Sequence, residues 1–599
     1  MKKSIILLCT IILSFIISKS VSIRFNNINI NRDNNDGVID YTDNNINNFK
    51  SINSENSNDF SPNIVAIWPK PKTVNHGNQT FQISSKFYFS SNLISSELLN
   101  NTAKRYYKMI FKEDNKNIPS DKEVNYFNYL KIEVYSDDET LKIGFNESYT
   151  LHIKETYGIL KAGTVYGAMR GLETFYQMVF YNYSSQGYFI PEAPWNIYDE
   201  PRFPHRGVML DTSRHWYSTT FLKKFIDSLS YNKFNTFHWH AVDSQSFPLT
   251  STTFPNMTRG AWTPLEIYST KDIKEIVQHA KERGIRVVLE VDMPGHAKSW
   301  GEAFSEVIPD GIEKAPGCNW DCSTYCDVPL DPSKQKSYDV AFSLLDEFTG
   351  TENSIFQDDY CDVPIDPTNP LSIKVATALL EEYTQVFNDS FFHVGGDEIN
   401  YDCWKGSGLI QQWMENEKYT SFDNLTMYFE EQVFNKLIDL GKTPIVWEET
   451  FDVFGTKLSK DVIVQVYHSP TLAKSTTGNG YKTLLSPADF YYLELEYSSW
   501  QRAYSFEPTS VISQDNIDLL LGGEGALWTD TIGVSQIISK IYPSASSIAE
   551  KLWSPININN TDIAEYRLES FHCSLIFRGI NSNNVLSTSI KNLKSCSKS

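Results

Sequence analysis

Two adjacent carboxylates, Asp397 and Glu398, have the residue types and the setting for acid/base chemistry. They follow an apolar run that begins at Phe391 and ends in Gly395 and Gly396, so a rigid strand would lead into a turn that presents both side chains at the strand's end. This stretch alone leaves an alternative, a helix N-terminus in which acidic side chains stabilise the helix dipole. The remainder of the chain favours the acid/base site.

Beyond Pro201, short apolar runs alternate with amphipathic helices such as 271–283 and 422–440. Nearly continuous apolar runs are typical of parallel strands covered on both faces. The predicted strands are 207–210, 236–242, 286–291, 391–394, 443–446, 462–466, 483–485 and 519–521. Eight alternations over this length predict an α/β fold, a closed (β/α)8 TIM barrel.

Polar and aromatic residues follow every predicted strand, at the end where barrel enzymes keep their active sites. They include Arg214, Asp243, His296, Asp397, Glu398, Trp447, Tyr467, Tyr492, Glu494, Glu524, Trp528 and Asp530. Aromatic rings can stack on the C–H faces of a sugar, and carboxylates can accept hydrogen bonds from its hydroxyls. We therefore expect a sugar-binding pocket at the carboxyl ends of the strands.

The ends and the overall charge of the chain restrict its location and partners. Two lysines and an apolar stretch within residues 1–22 predict a signal peptide, too short to span a membrane, and residues 23–62 read as an Asn-rich disordered leader. Several Asn-x-Ser/Thr triplets suit a secreted glycoprotein. A net charge of −20 argues against a nucleic-acid partner. We expect no membrane association after the signal peptide is removed.

Two domains are predicted for the mature chain. Residues 63–200 contain short alternating strands and a helical pattern over 162–179, which predict a smaller α/β sheet domain before the barrel at 201–599. Within the barrel, the segment 325–332 recurs at 360–367, so the region near 325–385 is duplicated. The second copy should supply the helix before the fourth strand, and the first should be an insertion on the rim.

Apart from Cys9, the chain has seven cysteines. In an oxidising compartment they favour disulfide bridges over metal ligands. Cys318, Cys322 and Cys326 have a suggestive spacing, but no nearby His or Cys cluster completes a tetrahedral zinc site. We expect no metal and no cofactor.

Four motifs together resemble the family 20 β-N-acetylhexosaminidases. They are the segments 211–215, 237–243, 292–296 and 393–398, and the resemblance covers about residues 64–596. It implies an exo-acting glycosidase that removes terminal β-linked GlcNAc or GalNAc from N-acetylhexosamine-terminated glycans with retention. It also implies a lysosomal or secreted protein. The oligomeric state stays open, with a homodimer as one alternative.

The resemblance also implies the catalytic roles. Glu398 would be the general acid/base, and Asp397 would orient the substrate's 2-acetamido group, whose carbonyl oxygen attacks the anomeric carbon in place of an enzyme nucleophile. Tyr492 would donate to that carbonyl oxygen. Asp243 and His296 would form a relay that adjusts the protonation of Glu398.

For substrate binding, the resemblance implies that Arg214 contacts ring hydroxyls and that Glu494 and Asp530 grip further hydroxyls. Trp447, Tyr467 and Trp528 would wall the acetyl group and the sugar face. Leu495 offers no cation for a sulfated sugar, so 6-sulfated substrates should be poor. The implied disulfides are Cys318 with Cys403 and Cys573 with Cys596.

Other residues receive a structural interpretation. His238 and His240 are taken as packing or supporting groups, and Arg206 and Asp292 as structural. Two rival functions remain: a glycan-binding protein that has lost catalysis, and a retaining glycosidase with an enzyme nucleophile. The intact pair of Asp397 and Glu398 together with Tyr492 argues against the first.

Overall fold

A computed structural model describes residues 66–113, 126–312, 315, 318, 363–495, 498–530, 532–533 and 536–585. The predicted signal peptide and leader, the first copy of the duplicated segment and Cys596 lie outside these residues. Within the described part, no helix combines the length and the apolar character that crossing a membrane requires.

A six-stranded sheet precedes the barrel. Its strands are β1 (Thr73–Ser91), β2 (Phe127–Val134), β3 (Tyr149–Ile153), β4 (Tyr157–Ala162), β5 (Phe180–Asn182) and β6 (Gly187–Asp199). They are ordered β1-β2-β4-β3-β6-β5, and β1 also pairs with β6. Helices α1 (Glu97–Ile110) and α2 (Val165–Met178) contribute buried residues to the same apolar core as these strands. The predicted α/β sheet unit is thus present.

The second part is a closed barrel of parallel strands. They are β7 (His205–Asp211), β8 (Thr236–Val242), β9 (Arg286–Val291), β10 (Phe391–His393), β11 (Thr443–Trp447), β12 (Ile463–Val466), β13 (Thr483–Leu485) and β14 (Leu520–Leu527). Each strand pairs with the next along the chain, and β14 closes on β7. This confirms the predicted TIM barrel.

Helices cover the barrel between these strands. They are α3 (Thr219–Tyr231), α4 (Thr270–Lys281), α5 (Pro370–Thr384), α6 (Tyr401–Gly406), α7 (Gly408–Glu417), α8 (Phe422–Asp439), α9 (Glu448–Phe454), α10 (Leu472–Gly478), α11 (Ala488–Tyr491), α12 (Trp500–Ser505), α13 (Ile537–Ile541), α14 (Ser544–Trp553) and α15 (Thr561–Phe577). The second copy of the duplicated segment supplies α5, which precedes β10 as expected.

The prediction for the last strand was wrong. It assigned 519–521 and put Glu524 beyond the strand, whereas β14 continues through Gly522 and Gly523 to Leu527. The glycines do not break this strand. A Cβ at Gly522 would lie 1.9 Å from the carbonyl oxygen of His205, so glycine permits close strand packing there. Glu524 consequently points into the barrel interior and pairs with His205 and His238.

Buried ion pairs join the sheet unit to the barrel. Glu147, which precedes β3, lies 2.6 Å from Nη2 of Arg206 on β7 and 2.9 Å from Nε of Arg170 on α2. Asn235 donates to its other oxygen at 3.0 Å. The side chains of these four residues are all buried. Arg206 is thus a structural residue, as the sequence indicated.

One disulfide links Cys318 to Cys403 on α6, as the resemblance implied. Cys573 on α15 is also disulfide-bonded. Its implied partner, Cys596, lies outside the described residues.

Candidate active site

The acid pair lies on a glycine turn after β10. Gly395 and Gly396 have φ values of +70° and +91°, and a Cβ on Gly395 would lie 1.7 Å from Oδ1 of Asp292. The turn therefore requires glycine at a position packed against another carboxylate. The alternative of a helix N-terminus is wrong, because the following helix begins at Tyr401 and is capped by Asn400.

The two carboxylates have different surroundings. Asp397 is 7% exposed, and its Oδ1 accepts no hydrogen bond from the described residues. The side chain of Glu398 is 46% exposed. Its backbone has a positive φ of +45°, a conformation that L-residues rarely adopt. Asp397 thus has a buried oxygen that accepts no hydrogen bond from the described residues, whereas Glu398 faces solvent.

His296 connects Glu398 to Asp243. Its Nδ1 lies 3.2 Å from Oδ1 of Asp243, and its Nε2 lies 3.6 Å from Oε2 of Glu398 and 3.7 Å from Oδ2 of Asp397. Burial alone would lower the pKa of His296, but the Asp243 carboxylate outweighs it and raises the pKa well above the ordinary value. The imidazole is therefore a cation beside both acids.

This cation and the surrounding charges shift the two acids in opposite directions. The His296 imidazole beside it lowers the pKa of Glu398, although burial acts the other way. Burial, reinforced by the nearby carboxylate of Asp292, raises the pKa of Asp397 well above its ordinary value. In the ligand-free protein, Glu398 thus loses its proton more readily than Asp397.

Arg214 lies at one side of the pocket among carboxylates. Its Nη2 is 2.8 Å from Oδ2 of Asp243, and its Nε is 3.4 Å from Oδ1 of Asp530. Gln245 accepts a hydrogen bond from the same Nε at 2.9 Å. Nη1 is buried, lies 3.6 Å from Oδ2 of Asp211 and donates no hydrogen bond to a described residue, so it can donate one to a ligand.

Four aromatic side chains form a contiguous group, and one of them, Trp528, lies against the guanidinium of Arg214. The ring centroid of Trp447 lies 5.4 Å from that of Tyr467 and 6.0 Å from that of Trp528. Tyr467 and Tyr492 are parallel at 6.1 Å, and Tyr492 lies 6.4 Å from Trp528. After burial, the charge of Asp397 is the next cause that raises the pKa of Tyr467, and it also raises that of Tyr492. Asp397 therefore lies near enough to this aromatic group to act on it electrostatically.

The last two predicted binding residues lie beside Trp528 and Arg214. Glu494 accepts a hydrogen bond from the backbone N–H of Trp528 at 3.4 Å, and burial raises its pKa to about 8. Burial also raises the pKa of Asp530, against the opposing effect of Arg214. A chain of such contacts connects every catalytic and substrate-binding residue predicted from the sequence.

The sequence did not single out several residues that support this pocket. Glu290 on β9 accepts a hydrogen bond from Nε1 of Trp447, and Glu449 accepts one from the hydroxyl of Tyr467. His240 on β8 bridges Glu290 and Asp243, so it is a supporting group as interpreted. The available signal was the presence of charged residues inside otherwise apolar strands, because such residues need buried partners.

Three buried groups of His, Asp and Glu have ligand atoms close enough to hold a metal. They are His238 with Glu290 and His393, His240 with Asp243 and Asp292, and Asp292 with His296 and Asp397. Most of their polar atoms already pair with one another within the described residues, as in His240 with Asp243 and His296 with Asp243. The groups read as ion-pair networks, so the prediction that no metal takes part stays a prediction.

A parallel barrel whose strand ends carry two adjacent carboxylates, a buried arginine and an aromatic wall defines a glycoside hydrolase. Residues 203–556 match the catalytic domain of glycosyl hydrolase family 20, and residues 67–178 match a domain described as β-acetyl hexosaminidase like.

Known proteins agree with these matches. The chain is 45% identical over 599 residues to β-hexosaminidase subunit B2 of Dictyostelium discoideum, with 98% of each protein covered. It is 33% identical to β-hexosaminidase 1 of Arabidopsis thaliana over 86% of this chain and 90% of that protein. The structure of Flavobacterium johnsoniae chitobiase aligns with a TM-score of 0.68 and 26% identity, covering 86% of this chain and 73% of the other. The chain therefore belongs to glycosyl hydrolase family 20 and is a glycoside hydrolase of the β-N-acetylhexosaminidase type.

Proposed function

We propose that this protein is an exo-acting enzyme that removes terminal β-linked GlcNAc or GalNAc from glycans, with retention and with the substrate's acetamido group as the nucleophile. The observation that carries the proposal is Asp397. Its Oδ1 is buried and accepts no hydrogen bond from the described residues, and after burial its charge contributes to raising the pKa of Tyr467 and Tyr492. An acetamido N–H supplies the donor, and its methyl group suits the aromatic walls.

In the first step, Glu398 gives its proton to the glycosidic oxygen while the acetamido carbonyl oxygen attacks the anomeric carbon. The C–O bond to the leaving group breaks, and an oxazolinium ion forms. Asp397 accepts a hydrogen bond from the acetamido N–H and stabilises the positive charge. Tyr492 donates a hydrogen bond to the acetamido carbonyl oxygen, which holds that oxygen in line with the anomeric carbon. Because the attacking group is tethered, its effective molarity can reach about 10⁵ M or more.

In the second step, water attacks the anomeric carbon from the face that the leaving group vacated, and the bond from that carbon to the acetamido oxygen breaks, which restores the acetamido group. Glu398, now ionised, takes a proton from this water. Two inversions at one carbon give overall retention. The His296 cation suits this half of the cycle, because it favours the ionised form of Glu398.

Substrate binding reconciles the pKa directions of the free protein with these roles. Glu398 is 46% exposed, so a sugar that covers it removes water and raises its pKa, which favours the acid form needed first. A positive oxazolinium beside Asp397 lowers the pKa of that carboxyl and favours its ionised form. The two acids therefore exchange their protonation preferences as the reaction proceeds.

Specificity for the sugar comes from the other side of the pocket. Nη1 of Arg214, which donates no hydrogen bond to a described residue, and the carboxylates of Asp530 and Glu494 offer partners to ring hydroxyls. Trp528 contacts the guanidinium of Arg214 at 5.3 Å and gives a flat apolar surface for the sugar's C–H face. This arrangement supports recognition of one terminal sugar.

The decisive experiment measures turnover of a chromogenic β-GlcNAc by the wild type, Glu398→Gln and Asp397→Asn, with a thiazoline analogue as competitor. We expect wild-type turnover, a loss of about 10² to 10⁴ in kcat for Glu398→Gln, and competitive inhibition by the thiazoline. A wild type that binds the sugar without turnover would favour the inactive glycan-binding alternative. Equal turnover of a β-glucoside, with no thiazoline inhibition, would favour an enzyme nucleophile.

The remaining expectations from the sequence are part of the same proposal. The signal peptide, the domain boundaries at residues 62 and 200, glycosylation, and residence in a lysosome or outside the cell stay proposed. So does a homodimer; light scattering on the purified protein would distinguish it from a monomer.

A further inference from the structure

Glu290 lies inside the barrel on β9 and contacts two parts of the active site. Its Oε1 accepts a hydrogen bond from the indole Nε1 of Trp447 at 2.9 Å and lies 3.0 Å from Nδ1 of His393. Its Oε2 lies 2.5 Å from Nδ1 of His240 and 3.0 Å from Nε2 of His238. The side chain is fully buried, so each of these contacts is shielded from water.

The first path from Glu290 leads to the acetamido wall. The indole of Trp447 is fully buried. Its Nε1–H, the only donor of the indole ring, is hydrogen-bonded to Glu290. His393, whose Nδ1 faces Oε1, has the same ring nitrogen 3.1 Å from the backbone nitrogen of Gly395. Glu290 thus touches both the wall and the residue that supports the turn of the acid pair.

The second path leads to the general acid. His240 Nε2 lies 2.9 Å from Oδ2 of Asp243, and the other oxygen of Asp243 lies 3.2 Å from Nδ1 of His296. His296 then reaches Glu398. Four contacts of alternating sign therefore connect Glu290 to the exposed acid.

We infer that Glu290 is a positioning residue of the proposed reaction: one carboxylate orients Trp447 and, through His240, fixes the charge of the relay formed by Asp243, His296 and Glu398. This inference rests on the proposed function. Neither oxygen of Glu290 contacts the pocket, so its effect on substrate is transmitted by its partners.

The charges around these groups support the second path. Burial would raise the pKa of Glu290, but His240, His393 and His238 lower it well below the ordinary value. Burial would lower the pKa of His240, but Glu290 and Asp243 raise it well above the ordinary value. Besides its two histidines, Asp243 faces the cation of Arg214. Arg214 and His468 also act on Glu398, and Asp292 acts on His296.

The direction of the effect follows from these charges. In Glu290→Gln, the amide oxygen can still accept from Trp447, while the amide N–H₂ must face the histidine nitrogens. Asp243 still pairs with Nε2 of His240 and keeps it charged, so the network loses one negative charge and keeps its cations. The more positive surroundings lower the pKa of Glu398 further, so activity that needs protonated Glu398 is lost at a lower pH.

Glu524 offers a matched control. It is equally buried in the barrel interior and lies 2.8 Å from His238 and 2.5 Å from His205, but the structure gives it no contact with Trp447 or His240. Glu524→Gln removes the same charge from the same interior. A general effect of losing a buried carboxylate would appear in both variants.

The experiment compares kcat/KM across pH for the wild type, Glu290→Gln and Glu524→Gln, with thermal unfolding to confirm folding. We expect the alkaline limb of Glu290→Gln to move to lower pH by about half a unit or more, and that of Glu524→Gln to move by less than half as much. His240→Gln breaks only the second path and removes a cation, so it should shift the limb to higher pH, which keeps the test available if Glu290→Gln fails to fold.

The first path is tested by thiazoline binding. Glu290→Leu removes the hydrogen-bond acceptor of Trp447, so the Kd of this variant for the thiazoline should rise about tenfold. The Kd of Glu290→Gln should stay within about twofold of the wild-type value. Two outcomes in an active wild type overturn the inference and leave the proposed function standing. In the first, the alkaline limb of the pH profile moves in neither Glu290→Gln nor His240→Gln. In the second, it moves equally in Glu290→Gln and Glu524→Gln. An inactive wild type overturns the proposed function first.

Discussion

His296 and Glu398 form an ion pair across 3.6 Å between Nε2 and Oε2, while Asp243 holds the other nitrogen of the imidazole. The proton affinity of the exposed acid is therefore set by a buried cation that never needs to touch the substrate. An acid with a lowered pKa suits the base half of a retaining cycle, and the substrate itself must raise that pKa for the acid half.

Removal of this cation should shift the pH dependence upward. In His296→Asn, the largest cause of the lowered pKa of Glu398 is lost, so Glu398 keeps its proton to a higher pH. The alkaline limb of kcat/KM should move to higher pH, with a fall in kcat on the order of tenfold. Initial rates across the pH range with a chromogenic β-GlcNAc measure this. A limb that stays in place would mean that His296 does not control the acid.

Asp397→Asn should lose activity while gaining stability at neutral pH. The pKa of Asp397 is raised on folding by burial, so the folded state holds the proton more tightly and stability falls as pH rises above the unfolded value of about 3.9. Asn removes this penalty, and kcat should fall by about 10². Thermal unfolding should give a higher Tm for the variant at about pH 7, with a difference that shrinks near pH 4. A lower Tm at neutral pH would contradict the assigned burial cost.

Anionic substrates should be disfavoured, increasingly so at higher pH. Burial raises the pKa of Glu494 to about 8 and also raises that of Asp530, so both gain negative charge as pH rises, and Leu495 provides no cation. Like charges that meet in a pocket cost free energy. We expect kcat/KM for a 6-sulfated chromogenic substrate to be about tenfold or more below that of the neutral one, corresponding to about 1.4 kcal/mol. Comparable efficiencies would refute this.

The contact between the sheet unit and the barrel should depend on Glu147. Glu147→Ala leaves the buried cations Arg206 and Arg170 without their carboxylate, which typically costs about 3–5 kcal/mol. Glu275→Ala is the control, because Glu275 pairs with Lys223 at the surface, where water screens the charges and such pairs contribute little to stability. Urea unfolding of both variants gives the comparison. Similar losses of stability would show that the buried pair is not special.

The sequence determined the barrel because its strands are continuous apolar runs with clear stops, and β8, β9 and β13 begin and end as predicted. It failed at β14, where Gly522 and Gly523 resemble a break although they serve close strand packing. A local pattern cannot distinguish a glycine that ends a strand from one that lets two backbones approach.

The same limit applies to the pocket. Motifs identified Asp397, Glu398 and their implied partners, because those residues follow strand ends that a parallel barrel must bring together. The contacts of Glu290 with Trp447 and His240 depend on side chains from three different strands meeting inside the barrel. The sequence by itself thus determined the fold and predicted which residues follow the strand ends. Only the tertiary structure decided which buried charges pair and how the pKa values of the two acids diverge, because electrostatic interactions depend on distance and burial, which the order of residues does not contain.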